Sequence, residues 1–263
     1  MTNLNNDNAA KLDFRAGWRA CCSVLLIGHG STRRSEAFAV LERHAQTLQQ
    51  RRGFKDVRAA ALFGDGGLEQ SLVGLGDPVF IVPMFMANGY TVRTALPAAL
   101  RGAGFPSAAA GRKVYECEPV GLSTGIADLI VAKGLAAAPG LALAPSELAL
   151  ILCAHGSDRE PASAEAADLQ VARVVATGCF RSVRAAYLEQ RPVIGDSLRE
   201  SKPPVAVVGL FSGGSQHATR DVEEAIADAP QARALNLGAI GADDGMAAVI
   251  EAALVHLYAA GVR

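Results

Sequence analysis

The chain is written twice. The segment "LLIGHGSTRR" at 25–34 returns as "ILCAHGSDRE" at 151–160, an offset of 126 residues. The same offset relates "VRAAALFGDGGLEQSL" (57–72) to "VRAAYLEQRPVIGDSL" (183–198), and "PVFIVPMF" (78–85) to "PVAVVGLF" (204–211). Further on, "VGLSTGIADLI" (120–130) matches "IGADDGMAAVI" (240–250) at an offset of 120, so the second copy has lost about one helical turn of chain. Self-similarity at a fixed period means that one structural unit is built twice. The copies span 20–135 and 149–263. Between them, 136–148 has the Pro, Gly and small-residue content of a linker, and the polar, Asn-rich stretch 1–19 reads as a flexible tail.

Each copy reads as strand, helix, strand, helix, strand, Gly-bearing loop, helix, strand, helix. "SEAFAVLERHAQTLQQRR" spaces its apolar residues at helical intervals, which puts His44 on the exposed side of a charged helix. "DPVFIVPMF" and "PPVAVVGLF" are continuous apolar runs beginning at Pro, as strands buried on both faces are. Strands alternating with helices predict an α/β protein of two tandem lobes, each an open parallel sheet flanked by helices, with a cleft between the lobes. Ligands of such sheets lie beyond the carboxyl ends of the strands. His29, His155 and His217 all fall at or just after such ends, whereas His256 lies on the C-terminal helix and calls for no role.

Composition excludes several classes. Half the residues are hydrophobic, 19% are charged and the net charge is -1, so the chain has a core to bury and no basic surplus for nucleic acid. The polar N-terminus carries no apolar run before Cys21, which argues against a signal peptide or a membrane span. The five cysteines, Cys21, Cys22, Cys117, Cys153 and Cys179, form no C-x-x-C pair. They are expected to be reduced, packed thiols of a cytoplasmic protein, without an iron-sulfur or structural zinc site.

The duplication supplies an internal comparison. His155 is matched by His29, but Glu189 is matched by Phe63, His217 by Thr91 and Asp221 by Ala95. The second copy therefore carries two imidazoles and a carboxylate at three strand ends, where the first keeps one of the three. Two imidazoles and one carboxylate suit cobalt, nickel, iron or zinc better than magnesium or calcium. Three ligands leave coordination positions open, as a site that passes its metal on requires. Histidine phosphatases also end a strand with His-Gly, but they place an arginine before the histidine to hold phosphoryl oxygens; Gly28 and Ala154 stand there. The "SGGS" stretch at 212–215 lacks the pattern of a nucleotide-phosphate loop.

Strand then "AHGS", "YLE" followed by Pro192, and a Gly-bearing loop ending in His217-x-x-x-Asp221 together resemble the sirohydrochlorin chelatases, class II tetrapyrrole chelatases in their long two-lobed form. The resemblance covers almost the whole chain. It implies insertion of Co(II) or Fe(II) into sirohydrochlorin, towards cobalamin or sirohaem, with Ni(II) also compatible with the ligand set and with no nucleotide cofactor. It further implies that His155, Glu189 and His217 form the metal-binding and catalytic site in the C-terminal lobe. Asp221 is expected to orient His217. The N-terminal lobe becomes a degenerate wall of the cleft, and a role for His29 stays open. A tetrapyrrole rich in carboxylates calls for cations and backbone donors, for which Arg33, Arg34, Arg93, Arg159, Arg191, Arg220, Gly213 and Gly214 are the candidates. The alternative is a metal or tetrapyrrole carrier with the same fold and no turnover. No nucleic acid or membrane partner is implied, and a chain that already holds two lobes is compatible with a monomer.

Overall fold

The structure is a computed structural model that describes residues 17–30, 36–64, 67–105, 113–213 and 216–261, with the side chains of 51–52, 216–218 and 261 also outside the description. The first copy runs β1 (Ser23–Gly28), α1 (Glu36–Arg52), β2 (Asp56–Ala61), α2 (Leu68–Leu72), β3 (Val79–Pro83), a π-helical turn (Thr91–Ala95) leading into α3 (Leu96–Gly102), β4 (Val114–Glu116) and α4 (Thr124–Ala137). The second runs β5 (Ala149–Ala154), α5 (Ala162–Ala176), β6 (Ser182–Tyr187), α6 (Ile194–Glu200), β7 (Val205–Gly209), α7 (Gln216–Ala227), β8 (Ala234–Ala239) and α8 (Met246–Gly261). β1, β2 and β3 start 126 residues before β5, β6 and β7, and β4 starts 120 before β8. The slip in register therefore falls between the third helix and fourth strand of each copy.

Each copy forms a four-stranded parallel sheet, in the orders β2-β1-β3-β4 and β6-β5-β7-β8. The strand order reverses between β1 and β3, and again between β5 and β7. At such a switch point the connecting loops diverge and leave a crevice. Side chains alternate across each strand. Leu25, Ile27 and Ile81 face an outer core with Leu96 and Leu100, and Ile151, Cys153 and Val207 face another with Leu198 and Phe211. The opposite faces, including Val24, Leu26, Leu150 and Leu152, meet in one shared core. Burial on both faces is the reason these strands read as unbroken apolar runs.

The shared core is closed by exchange. α4, which ends the first copy, packs on α5 of the second; α8, which ends the second, packs on α1 of the first; and α4 and α8 touch each other. Ile126, Ile130, Ile250 and Leu254 are fully buried there. Gly134 of α4 comes so near that a Cβ would lie 2.6 Å from the Phe180 ring. The segment Thr124–Leu141 has the length and hydropathy of a membrane span, but here it is a packing helix with Ile126, Ala127, Ile130 and Gly134 buried against its neighbours.

Polar anchors obey the same two-fold logic. His44 on α1 donates from Nε2 to the Gly241 carbonyl at 2.8 Å, and Gln170 on α5 donates from Nε2 to the Gly121 carbonyl at 2.7 Å. Arg43 reaches the Ala242 carbonyl and Arg173 the Leu122 carbonyl. Gly121-Leu122 and Gly241-Ala242 are equivalent turns, so each copy's first helix holds the turn that precedes the other's last helix. His44 is consequently 2% exposed, not on a solvated face: α8 and its preceding turn cover the side that the helical pattern alone leaves open. Trp18, which the sequence places in the tail, is 7% exposed and stacks on Tyr258 of α8 at 4.3 Å. Residues 1–16 of that tail lie outside the described residues.

Burial holds the His44 imidazole below its ordinary pKa of 6.5. The unfolded chain then binds a proton that the folded chain resists, so stability is full above pH 6.5 and falls as pH drops from 6.5 towards the lowered value. His44→Gln supplies the donor that the second copy already uses and removes the charge. Chemical denaturation at pH 7.5 and 5.5 should show a smaller acid loss in His44→Gln than in wild type. His44→Ala should lose about 1–3 kcal/mol at both, the cost of an unpaired buried carbonyl. Equal acid losses in wild type and His44→Gln would show that His44 does not titrate at this interface.

Candidate metal centre

His155 follows β5 directly, and Glu189 lies two residues beyond β6, the neighbouring strand. The ladder continues past both strand ends: Leu188 N–H donates to the Ala154 carbonyl at 3.1 Å and Glu189 N–H to the His155 carbonyl at 2.9 Å. The two backbones are therefore fixed side by side. Gly156 turns the chain away with φ +75, where a Cβ would meet Gln190 Cγ at 2.6 Å. The turn is then tied down, because Ser157 N–H donates to Gln190 Oε1 at 2.6 Å and Gly156 N–H to Ser163 Oγ at 3.1 Å.

The His155 ring packs edge-on to Phe211 with centroids 4.9 Å apart. Phe211 is buried just after β7, on the far side of the switch point. His155 is exposed as a residue, yet desolvation by its surroundings lowers its pKa from 6.5. The charges of Glu189 and Asp221 oppose that shift by favouring the imidazolium. The ring is thus neutral near pH 7, packed on Phe211 and within the field of two carboxylates.

His217 sits in the first turn of α7, directly after the β7 loop, so its backbone lies at the same sheet end; its side chain is outside the described residues. Asp221 follows one turn later on α7. Its charge acts on His155 and on the buried Cys153 thiol; the contact with the His217 ring expected from the sequence falls outside the described residues. Among the described residues, no three of His, Cys, Asp and Glu stand close enough together to hold a metal ion.

The first copy keeps the backbone and loses the charges. Phe63 N–H donates to the His29 carbonyl at 3.0 Å, as Glu189 does to His155. The Phe63 ring then lies 4.8 Å from the His29 ring, where the second copy has a carboxylate. His29 Nδ1 donates to the Gly30 carbonyl at 2.9 Å. His29 therefore sits against an aromatic ring, with Thr91 and Ala95 at the positions of His217 and Asp221.

The candidate substrate residues divide. Arg33, Arg34 and Gly214 lie outside the described residues. Arg93 is paired with Glu160 across the two copies, Arg191 with Asp196 at 3.6 Å, and Arg220 with Glu224 at 2.7 Å on its own helix. Arg159 is exposed and has no ion pair among the described residues. Gly213 is buried, and a Cβ there would stand 3.5 Å from Ala37 Cα, in ordinary contact with α1 of the first copy. Ala37 and Gly213, like Arg93 and Glu160, lie in segments that follow strand ends. The carboxyl ends of both sheets thus open towards each other.

Phe211 and Glu160 are absent from the sequence-based site. Phe85 at the position equivalent to Phe211 was the available signal for the first, and Arg34 opposite Glu160 for the second. Of the five cysteines, all free, Cys22, Cys117 and Cys153 are buried with thiols pushed up to about 12. Cys21 is exposed and Cys179 partly so, in contrast to the packing expected of all five.

Comparison with known proteins gives a consistent result. The CbiX family profile matches the chain twice, over residues 23–135 and 149–257. A probable sirohydrochlorin cobaltochelatase of Halobacterium salinarum is 23% identical over 221 residues, 77% of this chain and 75% of its own length. The solved structure of CbiX described as the terminal enzyme of sirohaem biosynthesis in denitrifying bacteria is 26% identical, with a TM-score of 0.70 over 89% of this chain and 97% of that one. The fold is also that of the sirohydrochlorin chelatase SirB of Bacillus subtilis subspecies spizizenii in complex with cobalt, at 14% identity and a TM-score of 0.67 over 88% and 93% of the two chains.

Because Glu189 and Asp221 both raise the His155 pKa against desolvation, neutralising either lowers it further. Following the His155 ring by NMR through pH 5 to 8 should show its titration at lower pH in Glu189→Gln than in wild type, with a smaller displacement in Asp221→Asn. An unmoved titration in Glu189→Gln would place that carboxylate out of range of the ring.

Proposed function

The chain belongs to the CbiX family, and on that premise we propose that it is a sirohydrochlorin chelatase inserting Co(II) or Fe(II) into the macrocycle in cobalamin or sirohaem biosynthesis. The observation that carries this reading is the pairing of a desolvated, neutral His155 with the charges of Glu189 and Asp221 at the β5–β7 switch point, in one copy only. Metal insertion replaces two pyrrole N–H protons by one divalent cation. A neutral imidazole suits either half of that exchange, as metal ligand or as proton acceptor. Glu189 contributes negative charge for the incoming cation, and His217, from the adjoining helix start, completes a set of two imidazoles and one carboxylate. Such a set accepts cobalt, iron or nickel and holds the ion as substrate.

On this reading the copy at 149–263 carries the chemistry, the copy at 20–135 forms the opposite wall, and 136–148 joins them. Phe63 and Tyr90, respectively 41% and 63% exposed in the segments that follow β2 and β3, give that wall flat surfaces suited to a planar ring. Five free cysteines fit a reducing, cytoplasmic setting.

The reaction is read from the change in the tetrapyrrole absorption spectrum when Co(II) or Fe(II) is added. Wild-type protein should accelerate metallation well above the spontaneous rate. His155→Ala and His217→Ala should each lose about a hundredfold or more, the usual worth of a positioned acid-base group. His29→Ala should stay close to wild type. Stoichiometric tetrapyrrole binding without acceleration would instead identify a carrier, and a wild-type rate in both His155→Ala and His217→Ala would remove the proposed site.

A further inference from the structure

We propose that Arg93 and the Tyr90 N–H form a carboxylate-binding subsite in the first copy, which Glu160 of the second copy fills until a carboxylate of the substrate displaces it. This rests on the chelatase reading above and adds to it a subsite and an internal competitor.

Glu160 lies near the end of the loop that His155 begins, and it reaches across to the other copy. Its Oε2 accepts from the Tyr90 N–H at 3.1 Å, and its Oε1 is paired with Arg93 Nη2. A Cβ at Gly89 would lie 3.3 Å from Oε2 and 3.5 Å from Cδ, so a glycine floor is what lets the carboxylate settle on the backbone. Both oxygens of one carboxylate are thus received by a guanidinium and a backbone donor. This receptor is built for any carboxylate and not only for this one. Arg93 and Glu160 remain 58% and 30% exposed at their side chains, so an incoming group can reach the pair.

The arrangement occurs once. Where the second copy has Glu160 the first has Arg34, and where the first has Arg93 the second has Thr219. The repeat therefore does not require the pair, and the charged receptor stands on the wall opposite the His155 loop. An exposed ion pair contributes little to stability on its own. A substrate with several carboxylates can exchange one of them for Glu160 without leaving the guanidinium unpaired. The exchange also frees the loop that carries His155 from the opposite wall at the moment the ring arrives.

The test measures the dissociation constant of metal-free sirohydrochlorin by its absorbance, apart from any metallation. Removing the competitor in Glu160→Ala should tighten binding by about twofold to fivefold, the worth of an exposed ion pair. Arg93→Ala should weaken it by a similar factor, and Glu160→Ala in that background should bring no gain. Unchanged or weaker binding in Glu160→Ala would reduce Glu160 to a brace between copies and overturn the proposal, as would a gain that persists without Arg93. Wild-type protein that fails to bind the metal-free macrocycle would overturn the chelatase reading and the subsite together. Wild-type binding with no tightening in Glu160→Ala would overturn the subsite alone. Thermal unfolding of each variant separates a change at the subsite from a loss of fold.

Discussion

Everything in this molecule depends on the exchange of terminal helices. α4 leaves its own copy to pack on α5, α8 leaves its own to pack on α1, and the Gly121 and Gly241 carbonyls are held by Gln170 and His44 of the opposite copies. Fully burying a side chain such as Ile126, Ile130, Ile250 or Leu254 contributes about 1.5–3 kcal/mol relative to exposure. Neither sheet can cover its inner face without a helix from the other. The copies are therefore fastened at their backs, and the carboxyl ends of their strands are set opposite one another.

That fastening explains how two copies of one backbone could diverge so unevenly. The core positions are shared, so both copies must keep their strands, their helix starts and the turns at Gly121 and Gly241. The strand-end positions are not shared. Phe63 replaces Glu189 without disturbing the hydrogen bond to the preceding histidine carbonyl, because that bond comes from the backbone N–H in both copies. The same fold then gives one imidazole flanked by carboxylate charge and another packed on an aromatic ring.

The parts legible in the sequence are those governed by local pattern or by repetition. The central strands were readable because burial on both faces leaves uninterrupted apolar runs, and the first three strands of each copy keep the 126-residue offset. The neighbourhood of His155 and Glu189 was readable too, since both follow adjacent parallel strands. The failures share one cause. His44 was assigned to solvent because the charged face of α1 has no visible partner in its own copy; its partner is α8, some 200 residues later in the chain. Trp18 was assigned to a tail for want of Tyr258. A contact between copies joins segments far apart in the chain, and the local pattern of either segment does not name its partner.

The His155 environment is a compromise between two opposed demands. A ring that is to ligate a cation or accept a proton near neutral pH must be unprotonated, and a site that is to attract a divalent cation must be negative. Negative neighbours protonate an imidazole; Glu189 and Asp221 do pull its pKa upward. Desolvation by Phe211 and the strand ends acts in the other direction and prevails, so the lone pair stays available while the carboxylate charge remains in place. The two effects come from different structural sources: the hydrophobic wall from the buried ends of β5 and β7, the charge from a loop and a helix. Each can change in evolution without the other. In the first copy Phe85 stands at the position of Phe211, and Phe63 in place of Glu189 sets an aromatic ring against His29 where the second copy has carboxylate charge.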